Sequence, residues 1–118
     1  MDNKKKNFII QALRRASYRW PSRWLAEKRS KVGRNQYCCE NSDCGLILPK
    51  RETQMDHVIP CVDPIEGFTT FDSYADRMFP DKPEGFQRLC RDCHDKKTQE
   101  ENSVRKDSKQ KKKLDKDK

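Results

Sequence analysis

Histidine and apolar residues are scarce in this 118-residue chain, and each scarcity excludes something. Hydrophobic residues make up 32% of it, against about 45–50% in ordinary globular chains, which rules out a large core. No run of roughly 18 apolar residues occurs, so no segment reads as a membrane-spanning helix. The opening Met-Asp-Asn-Lys-Lys-Lys is followed by no apolar stretch of signal-peptide length, and the expectation is a soluble protein in a reducing cytoplasm. His57 and His94 are the only two histidines. If both serve elsewhere, no imidazole is left to activate a cysteine nucleophile.

What the chain does have is six cysteines. A small domain with little to bury needs a staple, and in a reducing compartment closely spaced cysteine pairs favour zinc over disulfides. Cys39 and Cys44 form a Cys-x4-Cys pair, and Cys90 and Cys93 a Cys-x2-Cys pair. Together they supply four soft thiolates, the number and kind that tetrahedral zinc takes. Cys38 is less suited, because adjacent thiols rarely reach one ion together. Cys61 reads as a small buried hydrophobe.

Charge is the other abundant feature, at 27 Lys and Arg against 19 Asp and Glu. Residues 1–34 carry a net +9, residues 105–118 a net +5, and residues 35–104 a net −6. Basic arms thus flank an acidic middle, and attraction to a polyanion must come from the arms. The chain divides accordingly into a basic helical arm (1–34), a central domain (35–104) and a basic tail (105–118).

Phe8, Ile9, Ala12, Leu13 and Ala16 recur at helical spacing, with Arg14, Arg15 and Arg19 between them, which predicts an amphipathic basic helix. Pro21 ends it and starts a second helix that stops near Gly33, with Trp20 and Trp24 expected to pack the arm onto the domain. Short strands are expected over 46–49, 53–60 and 85–89. Thr70 is placed to cap a helix reaching Phe79 whose apolar stripe is Phe71, Tyr74 and Met78, and another helix is expected from Arg91 to about Asn102. Beyond Val104 the composition of Lys, Asp, Ser and Gln predicts disorder.

Both histidines lie in informative runs, Met55-Asp56-His57-Val58-Ile59-Pro60 and Leu89-Cys90-Arg91-Asp92-Cys93-His94-Asp95-Lys96-Lys97-Thr98. An unperturbed imidazole titrates near pH 6.5 and is suited to general-base work. Consecutive strand residues point to opposite faces, so Asp56 and His57 can serve one site only where the strand bends or ends. These runs, with the cysteine pairs, resemble an HNH endonuclease of the ββα-metal class, particularly its small phage-encoded members. The resemblance spans about residues 8–100. It implies a small α+β fold: a ββα-metal core stapled by a four-cysteine zinc site, with N-terminal basic helices and a disordered basic tail. His57 would then be the general base, while Asp56 and His94 would hold a catalytic Mg2+ or Mn2+. Cys39, Cys44, Cys90 and Cys93 would hold structural Zn2+. The substrate would be DNA, contacted through the basic arms and by Arg91, Lys96 and Lys97, in the host cytoplasm if the chain is phage-encoded.

The chain departs from the family at one place. Where the middle asparagine or histidine is usual it has Gly85, which cannot hydrogen-bond through a side chain; Glu84 is a candidate to replace it. The alternative function is therefore a non-catalytic zinc module that binds nucleic acid or protein, either as an accessory to the phage packaging terminase or as an inhibitor of a host protein.

Overall fold

The computed structural model describes residues 1–116, with side chains described as far as Lys113. It is a small α+β structure of four α-helices and two small antiparallel sheets. No helix among the described residues is long and apolar enough to cross a membrane.

Helix α1 (Asn3–Ser17) starts where the Asp2 carboxylate accepts a hydrogen bond from the backbone N–H of Lys5 at 2.8 Å. Its inward face is Ile9, Leu13, Ala16 and Ser17; Phe8 and Ala12, expected on that face, are exposed. The buried stripe is narrower than the sequence pattern because α1 rests mainly on one short helix, α3. Helix α2 (Pro21–Ser30) has proline in its first turn and buries Ser22, Ala26 and Ser30. These small residues, four apart, let α2 lie close against the strand that carries Phe86 and Arg88. Trp20 anchors the corner between the helices, donating its indole N–H to the Pro80 carbonyl at 2.6 Å and meeting Phe79 edge-on. Trp24, in contrast, is 55% exposed, with the Lys28 ammonium over its ring. It faces away from the strand, so only one of the two tryptophans packs the arm.

A hairpin follows that the sequence pattern did not announce. Strands β1 (Lys31–Gly33) and β2 (Gln36–Cys38) pair across a tight turn in which Asn35 takes φ 51°, a left-handed conformation asparagine tolerates. The hairpin is legible only from that turn, since three-residue strands carry almost no periodicity. Strand β3 (Ile47–Leu48) adds to β2.

Strands β4 (Thr53–His57) and β5 (Phe86–Cys90) form the second sheet, pairing Asp56 with Gln87 and His57 with Phe86. Strand β4 ends at His57, three residues before the expected Pro60, and its next residue, Val58, donates its N–H to the Gly85 carbonyl. Between the strands, α3 (Phe71–Met78) is capped by the Thr70 hydroxyl, which accepts from the Ser73 N–H, and it buries Tyr74 and Met78. Helix α4 (Arg91–Lys116) leaves β5 without a loop. Residues 105–116, expected to be disordered, continue this helix. Their lysines and glutamine favour helix once a preceding turn is anchored, and Ser108 and Lys112 both donate to the Ile65 carbonyl. Asp117 and Lys118 of the tail lie outside the described residues.

Arg88 is the central polar contact. It is 2% exposed, lies over the Tyr37 ring, and reaches Ser30, Thr53 and Glu27 from β5. Arg29 of α2 forms a bidentate pair with Glu40 at 2.7 and 2.8 Å and also donates to the carbonyls of Pro83 and Phe86. Glu40 accepts from the Arg88 backbone N–H as well, so α2, β2 and β5 are tied through one carboxylate.

Gly85 has a steric reason. A Cβ at this position would lie 2.3 Å from Pro80 Cβ and 2.8 Å from its Cγ, distances that force the chain apart. Glu84 is exposed and its charge acts on Arg29; no hydrogen bond joins it to His57 among the described residues. Gly85→Asn, which restores the letter of the resembled family, is expected to lower stability by about 1–3 kcal/mol. Urea unfolding of the two proteins checks this, and an unchanged midpoint would count against the close approach to Pro80.

Candidate metal centre and basic cleft

The four cysteines singled out by their spacing converge. Their sulfurs all lie within 4.8 Å of one another, and Cys44 Sγ and Cys90 Sγ are 3.8 Å apart. Ligands about 2.3 Å from a tetrahedral zinc are separated by about 3.8 Å, so the cluster is placed to hold a metal ion such as zinc. Each pair reaches the site through a different device. Cys39 and Cys44 bracket a knuckle in which Asn41 bends the chain, its side-chain oxygen accepting from the Asp43 N–H and its carbonyl from the Cys44 N–H. Cys90 ends β5 and Cys93 sits in the first turn of α4, so the strand-to-helix junction supplies the other pair.

Two of the sulfurs receive N–H donors. The Cys93 backbone N–H donates to Cys90 Sγ at 3.5 Å, and the Asn41 amide donates to Cys93 Sγ at 3.3 Å. Cys39, Leu89 and Cys90 are also the buried hydrophobic cluster of this half of the molecule, flanked by Cys44, Leu48 and Cys93. Here the metal site and the core are the same residues. Cys38, next in sequence, turns away toward the carbonyls of Cys39 and Gly45. Cys61 lies against Met78, and burial pushes its thiol up to about 11, the behaviour of an inert apolar residue.

The second cluster is built by β4, β5 and α4. Asp56 and His57 stand at the end of β4 with opposite outlooks. Asp56 faces α4 and Gln87. One carboxylate oxygen, Oδ2, takes a short ion pair from Lys97 Nζ and a 3.2 Å hydrogen bond from the Gln87 amide. The other, Oδ1, lies 4.0 Å from His94 Nε2. Lys97, read from sequence as a surface clamp, is instead held inward by Asp56, the His57 carbonyl at 2.7 Å and Glu101 at 3.2 Å. Arg91 and Lys96 remain exposed.

His57 turns the other way, under α3. Its Nε2 is 2.9 Å from the Met78 carbonyl, and its ring stands against Phe86 at 4.8 Å between centroids. A carbonyl only accepts, so the proton resides on Nε2 and the neutral ring keeps its lone pair on Nδ1. Burial lowers the His57 pKa, against the raising effects of the Met78 carbonyl and Asp56, which favours that neutral form. Nδ1 of His94 is buried and has no hydrogen-bond partner among the described residues.

Asp56 and His57 meet again in a cleft of about 300 Å³. Lys97, Arg14, Arg23 and Arg105 line it with them, as does Glu101, so α1, α2 and α4 each contribute an arginine to its wall. Sequence reading missed Arg23 and the Met78 carbonyl. The arginine was one of many in a basic arm, and a backbone carbonyl leaves no mark on a sequence. No protein-family model, curated protein or solved structure matches the chain.

One zinc per chain is expected from elemental analysis of purified protein. Cys39→Ser or Cys93→Ser should lose the metal and the cooperative thermal transition, whereas Cys38→Ser should keep both, as read by native mass spectrometry and circular dichroism. Metal loss from the Cys38 variant would put the ligand assignment wrong.

Proposed function

We propose that this chain is a metal-dependent DNA endonuclease of the HNH type, with Asp56, His57 and His94 as its reactive centre and a structural zinc on Cys39, Cys44, Cys90 and Cys93. The single observation that carries the reading is the 4.0 Å separation of Asp56 Oδ1 and His94 Nε2, with Asp56 and the adjacent His57 both lining the cleft that Arg14, Arg23 and Arg105 also line. Neighbouring donors on an octahedral magnesium lie about 3.0 Å apart, so Asp56 and His94 would need to close by about 1 Å to hold Mg2+ or Mn2+ between them. The order β4, β5, α4 around the two runs is also the order of a ββα-metal element.

Each side chain then has a task. Lys97 and Gln87 hold Asp56 Oδ2, which leaves Oδ1 as the oxygen offered to the cation. The Met78 carbonyl holds His57 so that Nδ1 accepts a proton from the attacking water. Asp56 and His94 would hold the divalent cation, whose chemistry would be charge stabilisation at the phosphate and the departing oxygen. The cleft arginines bind the phosphodiester through its charge, which gives affinity for nucleic acid without base readout.

A second reading has its own support. Lys97 already supplies a positive charge to Asp56, and Gly85 has no side chain, so the fold also suits a zinc-stabilised module that binds nucleic acid or a phage or host protein without cleaving.

Nicking of supercoiled plasmid separates them. Zinc-loaded wild type is expected to nick with added magnesium or manganese and not without. His57→Ala should lower the rate by about 10²–10⁴-fold while retaining zinc and DNA binding in a gel-shift assay. Undiminished nicking by the variant would remove His57 from the reactive centre, and none by folded wild type in either metal would transfer the protein to the second reading.

A further inference from the structure

We infer that the cleft accepts an unpaired nucleotide, with Arg23 holding its phosphate and the exposed ring of Tyr18 stacking on its base. The inference rests on the nucleic-acid reading above and names its substrate: DNA with an unpaired nucleotide, as in a single strand, a gap or a flap.

Arg23 is the first observation. It is half-buried, its guanidinium lies 4.6 Å from the Tyr18 ring centroid and 6.0 Å from that of Phe86, and it lines the cleft that holds Asp56 and His57. Glu27, the carboxylate that acts on it, is itself engaged by Arg88 at 3.4 Å and Lys50 at 3.2 Å. An arginine cannot shed its proton, so a desolvated guanidinium without a carboxylate of its own calls for an anion from outside. Its planar fork matches phosphate.

Tyr18 is the second. It closes α1 at the corner before Pro21 and is 64% exposed although it borders two clefts. The catalytic cleft and a neighbouring one of about 500 Å³ share Tyr18, Arg23 and Met55, and the second adds Lys50, Gln54 and Thr53. Both run along β4, with Tyr18 and Arg23 at the join. The Tyr18 ring carries Arg23 and, at 64% exposure, still offers surface to a base. In a duplex both faces of a base are already stacked on neighbours, so an exposed aromatic ring beside a phosphate clamp gains contact only from an unpaired base.

The test is binding without a catalytic cation, so that cleavage plays no part. Fluorescence anisotropy of zinc-loaded full-length protein in magnesium-free buffer would use a labelled oligothymidine of about 12 nucleotides and a blunt duplex of equal length. Tyr18→Leu is expected to weaken single-strand binding about 10-fold or more. It should leave duplex binding within about twofold, and Tyr18→Trp should restore the single-strand affinity. Arg23→Gln should weaken both, with zinc content and circular dichroism confirming its fold; because Arg23 is half-buried, the exposed Tyr18 pair decides the matter. Wild-type single-strand affinity in Tyr18→Leu, or an equal loss on both ligands, would overturn the inference even if plasmid nicking succeeds. The selective loss with no nicking would keep the cleft and discard the nuclease.

Discussion

The placement of β5 and α4 against β4 depends on four sulfurs being drawn to one point. Four sulfurs within 4.8 Å of one another are placed to hold a metal ion such as zinc, and as thiolates they would repel without one, which would couple metal binding to folding. The consequence reaches beyond the cluster. Cys90 and Cys93 straddle the junction of β5 and α4, and holding both sulfurs sets the angle at which α4 departs. His94 follows Cys93 directly, and Lys97 lies one turn further on. The positions of both relative to Asp56 are therefore set by the cluster.

The second organising contact is polar and buried. Arg88 on β5 reaches Glu27 and Ser30 of α2, while Arg29 of α2 grips Glu40 beside β2. Breaking such a pair on one side leaves a charge unsatisfied away from water, which makes the docking of α2 specific in register. With α2 fixed, Arg23 and Tyr18 are brought over β4, and the arm that carries the positive charge becomes one wall of the cleft. Charge asymmetry along the chain thus becomes charge concentration in space.

Asp56 shows how one carboxylate can be divided. Lys97 and Gln87 occupy one oxygen, leaving the other toward His94, and the same lysine bonds the His57 carbonyl. His57 is oriented from the opposite side by a carbonyl of α3. The glycine that stands where the resembled family has a side chain is accounted for by Pro80, whose ring fills the space a Cβ would need.

The sequence by itself picked out the four cysteines that converge, because cysteine spacing in a chain with so little to bury has few other uses. It also determined the small α+β class, the proline-started second helix and the threonine cap of α3, since these follow from local rules. Other features belonged to the tertiary structure. Whether Trp24 packed, how far α4 ran and where β4 stopped depended on partners distant in sequence. The inward turn of Lys97, the Met78 carbonyl at His57 and the placing of Arg23 between two aromatic rings were decided the same way. The physical reason is that caps, turns and knuckles are satisfied by neighbours within a few residues, whereas a charge or a backbone carbonyl acquires its role only when folding chooses its surroundings.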